Sequence, residues 1–144
     1  MLHTWEVRLS GAAAQHVVRI LSQNVCGQAV ARIGSAVASR PGYDLYAFVE
    51  TLCTAGTCDE LGVPGYTATH CMRRPPTVGR PSGGITVLLR QSFPVFGSAG
   101  VTVRSDPRAG IVWVDVPAYK LLVACCYFSP LGSRVYQSGE LHHD

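Results

Sequence analysis

The stretch VVRILSQNVCGQAVARIGSAVASRPGYDLYAFVE, residues 17–50, decides the fold. Its opening, Val17–Val25, gathers Val17, Val18, Ile20, Leu21 and Val25 and reads as a strand. Beyond it, Ala29/Val30, Ile33 and Ala36/Val37 recur at the spacing of one helical face. Arg40-Pro41-Gly42 stops that helix, because proline disfavours helical geometry in the residue before it. Asp44–Glu50 then encloses a second apolar run, Leu45-Tyr46-Ala47-Phe48-Val49. Strand, helix and strand with short joints form a βαβ unit, which requires the two strands to be parallel.

After this unit the pattern changes to short strands. Gly65–Cys71, Ile85–Arg90, Val101–Arg104, Ile111–Val116 and Lys120–Tyr127 are each apolar or β-branched and separated by Gly and Pro. Pro117-Ala118-Tyr119 is short enough for a hairpin turn. Leu121–Cys126 shows no polar alternation, so it is expected to be buried on both faces. The sequence predicts an α/β (α+β) fold around one core, either one mixed sheet with a flanking helix or two sheets packed together.

Composition limits the function classes. Of 144 residues, 47% are hydrophobic and 15% charged, which favours a packed domain over disorder. The net charge of +3 rests on eleven Arg and one Lys, compatible with a polyanionic partner without requiring one. The longest apolar run, Leu121–Phe128, is far shorter than the ~20 residues of a membrane-spanning helix, and an intracellular protein is expected.

Six cysteines stand at 26, 53, 58, 71, 125 and 126. They read as reduced and mostly buried, since a chain of this length can build a core without disulfides. A zinc site from Cys53, Cys58, His70 and Cys71 is disfavoured by the loose Cys-x4-Cys spacing. Adjacent His70 and Cys71 would also face apart on a strand. His70 reads as structural. No cysteine has the His and Asn/Asp context of a hydrolase nucleophile.

Glu50 closes an apolar strand, and Asn24 closes the neighbouring strand of the same unit. Open α/β sheets bind ligands above such strand tips, and parallel neighbours lie ~4.8 Å apart. An amide and a carboxylate can therefore meet one cation or water. Turn and capping roles suit the same residues. Tyr127 ends another strand, as a core tyrosine or a phosphate donor. Arg73, Arg74 and Arg80 lie in a Pro- and Gly-rich loop that is either solvated or tracks a phosphate backbone.

Four segments in order resemble the endonuclease/exonuclease/phosphatase superfamily. They are Arg19–Val25, Asp44–Thr51, Gly65-Tyr66 with Ser82–Leu89, and Val123–Pro130. The pattern is most similar to the endonucleases that accompany reverse transcriptases in non-LTR retrotransposons. Gln23 stands where the family usually has Trp, and Val49 where it has Gln.

The resemblance implies half of a four-layer α/β/β/α sandwich, with residues 1–18 as an N-terminal extension and 19–144 as the domain. It implies divalent-metal-dependent phosphodiester hydrolysis of nucleic acid, DNA above RNA. Asn24, Glu50 and Tyr127 would be site residues, and Glu50 and Asn24 would hold Mg²⁺ or Mn²⁺. The family's Gly-Asp-x-Asn and Ser-Asp-His motifs do not occur among these residues. A fragmentary domain, inactive alone and self-associating through an uncovered sheet face, is therefore expected. The alternatives are a non-catalytic remnant or polyanion-binding module, and a phosphatase or sphingomyelinase-like member of the superfamily.

Overall fold

A computed structural model describes residues 2–10, 15–72, 83–93, 100–107, 109–117 and 120–127. The βαβ unit forms where the sequence places it. Strand β2 (Gln15–Asn24; β1 precedes it at Leu2–Ser10) leads to helix α1 (Ala29–Ser39) and strand β3 (Leu45–Val49), and β2 and β3 pair in parallel. Ala29, Ile33 and Ala36 form the buried stripe of α1, while Val30 lies exposed beside it. The helix closes at Arg40, whose N–H bonds the Ala36 carbonyl at 2.9 Å.

Strands β4 (Tyr66–Cys71) and β5 (Ile85–Arg90) complete a five-stranded sheet in the order β1-β2-β3-β5-β4. Only β2–β3 is parallel, so the sheet is mixed. Strand β1 pairs with β2 along its whole length, from Leu2↔Gln23 to Ser10↔Gln15. The division expected between residues 18 and 19 therefore falls inside a strand, and residues 2–10 belong to the sheet.

The remaining strands do not extend that sheet. β6 (Thr102–Asp106), β7 (Ile111–Val116) and β8 (Leu121–Cys126) form a second, antiparallel sheet. A mixed α+β fold is thus found, with two packed sheets, one of the two arrangements expected, and two apolar clusters where one core was expected. The reason lies in β7, which alternates and buries Val112, Val114 and Val116 on one face. A sheet with one apolar face packs against another sheet.

These three valines and Cys125 meet Val18, Ile20, Leu45, Ala47, Ile85 and Val87 from the first sheet. The second cluster lies on that sheet's other face, where Leu21, Tyr46, Phe48 and Leu88 pack under Ala29, Ile33 and Ala36 of α1. Each fully buried side chain of this size contributes roughly 1.5–3 kcal/mol.

Strand β8 also departs from expectation. It alternates, with Cys125 buried and Leu122 56% exposed, so only one face is covered. The inner face of the large sheet, expected to be bare, is covered by the second sheet from within the chain; the exposed apolar groups of β8 are on the outside. Among the described residues no helix is long and apolar enough to cross a membrane.

Asp44 joins the central strands. It is 2% exposed, and its Oδ2 accepts the Arg19 N–H at 2.8 Å while Oδ1 receives the Arg90 guanidinium. Its backbone bonds Arg19 and Arg90 as well, each at 2.9 Å. The Arg90 side chain is 36% exposed, so losing the carboxylate unpairs the Arg19 N–H and a guanidinium that water reaches in part. Asp44→Ala should therefore cost about 2 kcal/mol in urea unfolding. Glu6→Ala, which breaks the exposed 3.9 Å pair with Arg19, should cost less than ~1 kcal/mol. Equal losses would show that Asp44 holds no special position.

Candidate functional site

The parallel register sets Asn24 beside Val49, and Glu50 follows at the next step. Both therefore sit at the C-terminal tips of adjacent strands, as the sequence predicts. The Val25 N–H bonds the Val49 carbonyl at 3.0 Å, and the Gly27 N–H bonds the Glu50 carbonyl at 2.8 Å, tying the two tips together. The turn after β2 is tight, with Cys26 and Gly27 at φ of 51° and 77°. Asn24 supports it: its Oδ1 accepts the Cys26 N–H at 2.8 Å. The turn role expected as the alternative for Asn24 is thus real. It occupies one lone pair of the amide oxygen and leaves the other, with the NH2 group, for a ligand.

The segment after β3 is strained. Glu50 and Leu52 both adopt left-handed backbone, at φ of 56° and 54°. For residues with a Cβ this costs roughly 1–2 kcal/mol each. The strain is held by Gly83 and Gly84, whose carbonyls accept the Leu52 N–H at 3.0 Å and the Thr51 N–H at 3.1 Å. Gly84 stands at φ of 91°, and a Cβ there would lie 2.7 Å from the Leu52 nitrogen. This close approach explains why a Gly-Gly pair precedes β5. Such strain gathers at functional sites when the surroundings over-determine it. The Glu50 side chain is half-buried, and among the described residues its carboxylate has no hydrogen-bond or ion-pair partner.

Tyr127 follows β8 and packs against the inter-sheet cluster that Val49 also borders. Its ring is partly buried at the edge of that core, and a phosphate-donor role for its hydroxyl stays an expectation. Arg73, Arg74 and Arg80 lie outside the described residues.

A second constellation occupies the α1 side of the sheet. Ligand atoms of Cys53, Cys58 and His70 all lie within 4.8 Å of one another. The loose Cys-x4-Cys spacing in sequence thus does not keep these three residues apart in space. The intervening residues coil, with the Thr57 and Cys58 N–H groups both bonding the Thr54 carbonyl at 3.0 Å, and Cys58 opens a 3₁₀ turn, Cys58–Leu61. The coil returns Cys58 to Cys53. His70 arrives from β4, while Cys71 faces the opposite cluster, as strand alternation requires.

His70 is held from behind. Its Nδ1 is 2.9 Å from Oγ1 of Thr86, the residue directly across on β5 and wholly buried. Burial lowers the imidazole below its usual range, with the Asp59 charge opposing in part, so the neutral form is favoured at neutral pH. Burial, with Cys53 alongside, pushes the Cys58 thiol up to about 11. The sequence signal for this group was the soft-ligand residue types themselves; the coil that closes their spacing was not visible in it.

Comparison with family models, curated proteins and solved structures finds no match.

Because the Gly84 position leaves no room for a Cβ, Gly84→Ala should destabilise the chain by about 2 kcal/mol or more. Gly65→Ala, also at positive φ but with open space around it, should cost roughly 1 kcal/mol. Thermal or urea unfolding of the two variants tests the difference, and equal losses would remove the close approach as the cause.

Proposed function

We propose that this chain carries one face of a metal-dependent phosphodiesterase centre for nucleic acid, with Asn24 and Glu50 as its oxygen donors. The observation that supports the reading is the placement of these two residues at the C-terminal tips of adjacent parallel strands, beside a strained turn. The order of the four sequence segments supports it.

The donor chemistry fits Mg²⁺ or Mn²⁺, which prefer carboxylate and amide oxygens and retain several waters. Glu50 would be the anionic ligand, and Asn24 would offer its remaining lone pair. A bound ion would offset charge on a phosphate. The chain's own groups orient: Asn24 is fixed by the Cys26 N–H, and Glu50 by the bond from Gly27 to its carbonyl. Tyr127 would donate its phenol to a phosphate oxygen. Arg73, Arg74 and Arg80 would meet the backbone of the nucleic acid by charge.

One observation favours the polyanion-binding alternative for the chain alone. Among the described residues no group of three His, Cys, Asp or Glu side chains with metal-binding proximity includes Glu50. The residues that would deprotonate water in the family, within Gly-Asp-x-Asn and Ser-Asp-His, are not in this sequence. The set present should hold a divalent ion weakly and activate water poorly.

The purified chain is therefore expected to nick supercoiled plasmid with Mg²⁺ no faster than Glu50→Gln does. It should still broaden the Asn24 and Glu50 backbone resonances on adding Mn²⁺, and Glu50→Gln should abolish the broadening. Absence of broadening in the wild type would refute the metal role of Glu50. Wild-type nicking that Glu50→Gln abolishes would show that the catalytic set is complete.

A further inference from the structure

We propose that Cys53, Cys58 and His70 form a zinc site, separate in donor chemistry from the oxygen donors at the strand tips. Three soft or borderline ligands converge from different parts of the chain: the segment after β3, the 3₁₀ turn and β4. Two thiolates and one imidazole are a recurring three-ligand zinc set, and the fourth position is then open to a further donor.

Distances allow it. Tetrahedral zinc with Zn–S near 2.3 Å and Zn–N near 2.0 Å sets ligand atoms roughly 3.5–3.8 Å apart. The observed upper bound of 4.8 Å leaves about 1 Å to close, which rotation of side chains can supply. Both cysteines are buried, and the thioether of Met72 lies 3.4 Å from Cys58 Sγ.

Charge selects the ion. In the free chain the Cys53 thiol points at the carbonyls of Cys71 and Ile85, at 3.3 and 3.8 Å. Binding releases one proton from each thiol to solvent, and the two thiolate charges cancel those of Zn²⁺. With a neutral imidazole the assembly carries no net charge, which a buried position tolerates far better than an isolated ion. Cuprous ion with the same ligands would leave a buried negative charge.

The imidazole is also prepared for the role. With Nδ1 engaged by Thr86, Nε2 is left as the ligating nitrogen, the arrangement in which an outer partner orients a metal-binding histidine. Bound zinc would fasten the Cys53–Leu61 segment to β4.

The test uses the full reduced chain under argon, titrated with Zn²⁺ against a chromophoric chelator. One ion per chain is expected, together with a rise in melting temperature. Co²⁺ in its place should show thiolate-to-metal charge transfer and the intense visible bands of a tetrahedral site. Thr86→Val should weaken zinc about 10–100-fold, as expected for an outer-shell partner, and Cys53→Ser, Cys58→Ser or His70→Ala by more. Cys26→Ser and Cys125→Ser should leave the affinity unchanged.

The wild type supplies a second readout that does not depend on how a substituted chain folds. Zn²⁺ should slow iodoacetamide modification of Cys53 and Cys58, located by mass spectrometry, and leave the exposed Cys26 unaffected. No stoichiometric zinc, a cobalt spectrum without thiolate bands, or equal protection of Cys26 would overturn the assignment. A zinc affinity unchanged by Glu50→Gln separates this site from the proposed phosphodiesterase centre.

Discussion

The buried carboxylate of Asp44 is the point from which the central sheet is organised. It enters β3 with one oxygen on the Arg19 backbone and the other on the Arg90 guanidinium, so a single side chain registers β2, β3 and β5. A charge so enclosed is costly unless all its partners are in place. The cost makes it a selector of register: a slip of β2 or β5 by one residue would leave Asp44 without partners and turn the apolar faces outward. The parallel pairing of β2 and β3 follows, and with it the placement of Asn24 and Glu50 at neighbouring strand tips.

The central strands are covered on both faces by different means. On one side Ala29, Ile33 and Ala36 of α1 lie over Tyr46 and Phe48; on the other, alternate residues of β7 lie over Leu45, Ala47 and Val87. This explains why Leu45–Phe48 is apolar throughout while β7 and β8 alternate in exposure. A strand between two covers needs apolar residues at every position, whereas a strand of an outer sheet needs them at every second one. Leu122 and Ala124 are apolar yet exposed, which composition does not distinguish from burial.

Rigid strands also concentrate strain at their ends. Glu50 and Leu52 reach left-handed backbone only because Gly83 and Gly84 approach closely enough to bond the intervening amides. The same turn leads into Cys53, so the two proposed donor sets share one scaffold. Position along one short segment thus separates the two proposed chemistries.

Much of this was legible in the sequence. Helical spacing located α1, proline ended it, and apolar runs located β3, β5 and β7, because local periodicity reflects which face of an element is buried. The tips bearing Asn24 and Glu50 followed from the βαβ unit. Other features depended on partners distant in the chain. Strand β1 is polar enough to read as an extension until its pairing with β2 satisfies its backbone. The split into two sheets, and the exposure of one face of β8, depend on which strand lies opposite, and strand sequences carry no address for their neighbours. Cys53, Cys58 and His70 looked badly spaced because sequence distance measures chain length, while a ligand set is defined by distance in space. The 3₁₀ turn and the β4–β5 register convert one into the other, and only the tertiary structure contains both.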